Sequence, residues 1–75
     1  MLGKVLKELR LERKVTQEQL GNTLGVKKNT ISQWESETNE PNSGMIIKLA
    51  DYFDVSTDYL LGRTDIAGVK INNTK

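Results

Sequence analysis

The 75-residue sequence has no cysteine and no histidine. Without cysteine there is no disulfide framework and no thiolate metal site. Without histidine the usual zinc ligand and the commonest general base are both missing. Proline occurs once and glycine six times, against 36% apolar and 28% charged residues. That balance suits a globular chain and excludes a fibrous or disordered one. No apolar run approaches the roughly 20 residues that cross a bilayer. The opening MLGKVLKELR interleaves charges every few residues, unlike a cleavable signal. A chain this short buries one core, not two. No carboxylate pair or metal-ligand set marks a reaction centre, and there is little room for a cleft. These absences lead to an expectation of one small cytoplasmic domain that is not an enzyme. No cofactor, no metal, no membrane partner and no small-molecule substrate are expected of it.

The charge that is present is unevenly placed. Residues 1–34 carry seven Lys or Arg against three Glu, a net of +4, and residues 35–75 a net of −3. The first half is suited to meet an anion. Lopsided charge is also common in small domains and decides nothing alone.

Apolar periodicity predicts five short helices. The first covers roughly 2–13, with Leu2, Val5, Leu6 and Leu9 on one face. Thr16 opens the second as N-cap, Gln19 completes a capping box, and Gly25 ends it in a left-handed turn. Val15 and Leu20 have the spacing of a hydrophobic staple, as do Val26 and Ile31 at the next helix. The third helix begins near Lys27 or Lys28 and reaches about Ser36, with Ile31, Trp34 and Glu35 on one side. Lys28, Asn29, Ser32 and Gln33 lie on the other, a wholly polar face whose one charge is a lysine. After a polar loop, Asn42 caps a helix carrying Ile46, Ile47, Leu49, Ala50 and Phe53, and Ser56 caps a last helix ended by Gly62. Residues 1–62 are therefore one domain, and 63–75 are expected to form a flexible tail or a linker stub.

The stretch TQEQLGNTLGVKKNTISQWE is the informative part. Gly21 inside one helix, Gly25 at a short turn, and Val26 and Ile31 plugging the gap together signal a helix-turn-helix. Gly21 has a price in helix propensity, and close packing is the expected reason. The sequence resembles the Cro and phage-repressor, or Xre-type, helix-turn-helix family over residues 2–62. The residues that carry the likeness are LKELR (6–10), TQEQL (16–20), LGV (24–26), TISQWE (30–35), Pro41, KLAD (48–51) and VSTDYLLG (55–62). The resemblance implies an all-α, five-helix, lambda-repressor-like DNA-binding domain. It implies a homodimer on a near-palindromic operator of double-stranded DNA, with the third helix in the major groove, acting as a transcriptional repressor.

Base readout then falls to Lys28, Asn29, Ser32 and Gln33, since amides suit adenine and lysine suits guanine. Thr30, at the side, is expected on a thymine methyl or the DNA backbone. In proteins this sequence resembles, the residue matching Gln17 braces the recognition helix and touches phosphate. Those matching Arg10 and Glu35 form an ion pair between the first and third helices. Lys27 departs from the family, which often caps the third helix with Ser or Thr. The lost cap is worth roughly 1 kcal/mol, and a phosphate there would offset it. Glu37 departs where many relatives have Gly, so a less tightly turned loop is expected, with Ser36 and Asn39 as backbone donors. Trp34 is expected in the core, and Lys7, Arg13 and Lys14 as solvated charges. An alternative stays open: the same fold serving as an antitoxin-like or adaptor protein-interaction module.

Overall fold

The computed structural model describes residues 2–62, and the expected tail at 63–75 lies outside them. Five helices follow one another: α1 (Leu2–Glu12), α2 (Gln17–Leu24), α3 (Lys28–Glu35), α4 (Ser43–Phe53) and the single turn α5 (Thr57–Leu60). There is no strand among the described residues.

Three of the helices, α2, α4 and α5, start at a residue whose side chain caps a free N–H of the first turn. At α2 the Gln19 N–H donates to Thr16 Oγ1 at 3.0 Å, and the Thr16 N–H donates back to Gln19 Oε1 at 2.9 Å. This reciprocal box satisfies two donors that the helix cannot. Asn42 and Ser56 accept in the same way from Met45 and Tyr59. Lys27 has the extended backbone of an N-cap, φ −82° and ψ 156°, but makes no side-chain cap bond.

Four helices end by one device. A residue in the left-handed region turns the chain, and the next N–H returns to a carbonyl five residues back. The turning residues are Lys14, Gly25, Glu37 and Asp54, with φ of 57°, 78°, 62° and 57°. The returning N–H groups belong to Val15, Val26, Thr38 and Val55, bonding Arg10, Gly21, Gln33 and Ala50 oxygens at 3.0, 2.8, 2.9 and 3.0 Å. Glycine was legible only at the second of these turns. At Glu37 the loop is therefore tightly wound, contrary to the looser turn expected there. The side chain offsets the strained backbone by taking the Gly3 N–H on Oε2 at 3.1 Å.

The core gathers Leu6 and Leu9 of α1, Leu20 and Leu24 of α2, Ile31 and Trp34 of α3, Leu49, Ala50 and Phe53 of α4, with Val55 and Leu60. Ile47 of α4 instead faces outward, 54% exposed. Two close approaches set the frame around α3. A Cβ at Gly21 would stand 2.7 Å from Val26 O, which is why α2 can run so near the turn. A Cβ at Gly3 would collide with Glu35 O and stand 2.7 Å from Trp34 O, so α1 begins directly against the end of α3. Arg13 joins α1 to α4: Nη2 donates to Phe53 O at 2.7 Å, and the guanidinium lies 5.8 Å from the Phe53 ring centroid. A cation on the last carbonyls of α4 complements its dipole.

Candidate nucleic-acid interface

Helix α3 has two faces with opposite fates. Ile31 and Trp34 are buried, 0% and 5% exposed. Lys28, Asn29, Ser32 and Gln33 are all exposed and share the opposite face, at the i, i+1, i+4, i+5 spacing of a helix side. No carboxylate interrupts that face. It offers amide, hydroxyl and ammonium groups, the donors and acceptors that base edges recognise.

The Glu35 carboxylate fixes where this face points. Arg10 Nε donates to Glu35 Oε2 at 2.6 Å and Arg10 Nη2 to Oε1 at 3.1 Å, a two-pronged pair with side chains 10% and 5% exposed. Arg10 Nη1 donates to Val15 O at 3.0 Å. Gln17 Nε2 donates to Glu35 Oε1 at 3.0 Å. One buried carboxylate thus ties α1, the turn after it and the first turn of α2 to the end of α3. With every prong engaged, the desolvation of both charges is compensated.

The remaining sequence candidates divide. Lys27 is exposed at the head of α3, and Thr30 is half-buried one turn along. Ser36 and Asn39, expected as donors to the DNA backbone, are both engaged within the protein. Ser36 Oγ donates to Gln33 O at 3.2 Å and lies 2.8 Å from Thr38 Oγ1. Asn39 Nδ2 donates to Gln33 Oε1 at 2.7 Å. Beside this region an open groove is lined by Lys7, Lys14, Gln17 and Lys28, among others. The sequence led to an expectation of Lys7 and Lys14 as solvated charges; Lys14 lies past the end of α1, in the left-handed turn, and it is this turn, not helical spacing, that brings it to the same groove as Lys7. Arg13 is the opposite case, a charge that turned out to cap α4. Among the described residues no group of acidic side chains is placed to hold a metal, and no helix is long and apolar enough to cross a membrane.

A helix-turn-helix family model matches residues 6–60. The chain belongs to the helix-turn-helix family. Its likeness to members of that family extends through most of its length. It is 36% identical over 66 residues to the HTH-type transcriptional regulator ImmR of Bacillus subtilis, covering 88% of this chain and 52% of that protein. It is 36% identical over 61 residues to repressor protein C2 of Salmonella phage P22, covering 81% of this chain and 28% of that protein. A crystal structure of the P22 c2 repressor in complex with a synthetic operator superposes with a TM-score of 0.80 at 34% identity. That match covers 85% of this chain and 97% of the solved one. The chain spans about half the length of the curated relatives it matches, 52% of ImmR and 59% of the regulator YobD of the same organism. The helix-turn-helix itself is α2, the turn at Gly25, and α3.

Proposed function

We propose that the chain is a sequence-specific regulator of transcription, a repressor that binds double-stranded DNA in the cytoplasm. It places α3 in the major groove of a near-palindromic operator and works as a homodimer, with half-sites about 34 Å apart. The observation that carries this reading is the outer face of α3: Lys28, Asn29, Ser32 and Gln33 are exposed together on a helix locked at its far end by Arg10 and Gln17. A helix held this firmly presents its polar groups at fixed positions, which base readout demands.

Phosphates fall to the groups around that face. Lys27 and Lys28 stand at the amino-terminal end of α3, where the helix offers unpaired N–H groups. Lys7, Lys14 and Gln17 line the adjoining groove, and Thr30 flanks the readout face. Arg10 and Glu35 orient α3 and touch no DNA. A match to a repressor crystallised on its operator supports the same docking.

Selection of bound sequences from a random duplex pool tests the reading. Enrichment of two related half-sites about 10 base pairs apart, lost steeply as salt rises, is the expected outcome. Failure to enrich any sequence at low salt would contradict it and favour a protein-interaction module on the same fold.

A further inference from the structure

The open groove beside the readout face is built by several stretches of chain. Lys7 and Leu11 stand one turn apart on α1, Lys14 comes from the turn after it, Gln17 from the first turn of α2, and Lys28 from that of α3. The groove has a volume of about 650 Å³. Arg10 and Glu35, which also line it, are paired with each other. That leaves Lys7, Lys14 and Lys28 against Glu18, a net charge of +2. Leu11 lies among these lysines and is 56% exposed.

An exposed leucine standing alone needs no explanation. This one does not stand alone. It forms an apolar wall in a cationic groove that shares Lys28 with the readout face. The turn at Lys14 points the same way. Its backbone is left-handed, φ 57°, where glycine is less strained. The residue kept there against that strain is the one that brings a cation into the groove. A nucleic-acid strand alternates anionic phosphates with sugars whose C–H faces are apolar. Cations around an apolar wall match that alternation.

We propose that this groove seats one sugar-phosphate unit of the DNA strand flanking the bases that α3 reads. Leu11 packs against the deoxyribose, and Lys7, Lys14 and Lys28 hold the phosphates on either side of it. The proposal rests on the DNA-reading role of α3 and adds to it an apolar contact that carries no sequence information. Leu11 therefore strengthens binding to the operator and to random DNA alike, and the footprint extends from α3 onto α1.

The test uses the full chain, the duplex selected from the random pool, and random duplex. Wild type, Leu11→Ala, Ile47→Ala and Lys14→Gly are titrated against both. Leu11→Ala is expected to weaken both complexes by the same factor, roughly fivefold, with base preference, salt slope and melting temperature unchanged. Ile47, on α4 and outside the groove, is 54% exposed, so Ile47→Ala is the control and is expected to leave both affinities as they are. Lys14→Gly is expected to melt higher and to lose about one unit of salt slope on both duplexes. Hydroxyl radicals cut DNA at the sugar. At saturating protein they are expected to spare a sugar outside the read bases in wild type and to cut it in Leu11→Ala. Unchanged affinity in Leu11→Ala, an equal loss in Ile47→Ala, or an unchanged salt slope in Lys14→Gly overturns the proposal while leaving DNA reading intact. Absence of selective binding by wild type overturns the DNA-reading role itself, and is seen before any variant is made.

Discussion

Gln17 and Glu35 are joined by a 3.0 Å hydrogen bond that runs from the first turn of α2 to the last turn of α3. The same Glu35 carboxylate holds Arg10 of α1. The two limbs of the helix-turn-helix are thus fastened at their open end as well as at the Gly25 turn.

This arrangement makes single truncations severe. Arg10→Ala leaves the Glu35 carboxylate buried with one amide donor, at a loss of about 3–5 kcal/mol. A domain this small has little more than that in total stability. Urea denaturation should find Arg10→Ala largely unfolded at 25 °C. The double variant Arg10→Met/Glu35→Leu, which removes both charges, should recover much of the loss. Equal destabilisation by the single and double variants would show that the pair is not what Arg10 contributes.

Two glycines near helix starts should respond in opposite directions. At Gly3 an added Cβ meets backbone oxygens of α3, with Trp34 O at 2.7 Å. At Gly44 its nearest neighbour is Asn42 Oδ1 at 3.5 Å, an ordinary contact. Gly3→Ala should therefore lower stability by about 1–3 kcal/mol through overpacking. Gly44→Ala should raise it by up to about 1 kcal/mol through helix propensity. Thermal melts of the two variants check both signs.

Lys27→Ser should separate stability from binding. The backbone at 27 already has N-cap geometry, so a serine oxygen can cap α3 and stabilise the domain by about 1 kcal/mol. The same change removes a phosphate partner, so the salt dependence of DNA binding should fall by about one unit of slope. A higher melting temperature with shallower salt dependence is the expected pair of results. A variant that melts higher but keeps the wild-type slope would place Lys27 off the DNA.

Much of this was written in local sequence. The capping box at Thr16 and Gln19, the stop at Gly25 and the apolar faces of α1 to α3 follow from rules that need only near neighbours. The left-handed turns at Lys14, Glu37 and Asp54 did not show, because lysine and glutamate have no preference for that conformation and aspartate adopts it only occasionally. Tertiary contacts sustain those turns, such as the Gly3 bond to Glu37, and no window of sequence contains both partners. Gly3 itself gave no warning, since its reason is a backbone more than 30 positions along the chain. At the interface the outward residues of α3 could be read from helical spacing. Their couplings could not. That Ser36 and Asn39 serve Gln33 depends on how the loop folds back, and that Arg13 caps α4 depends on where α4 ends.

The central claim, that the outer face of α3 reads base letters, is tested most directly by operator discrimination. The ratio of affinity for the selected operator to affinity for random duplex is measured for wild type, Asn29→Ala and Gln33→Ala at one fixed salt concentration. Each substitution should lower that ratio roughly tenfold and relax preference at one position in each half-site, while random-duplex binding stays the same. Full discrimination in both variants would contradict the claim and place the reading surface elsewhere.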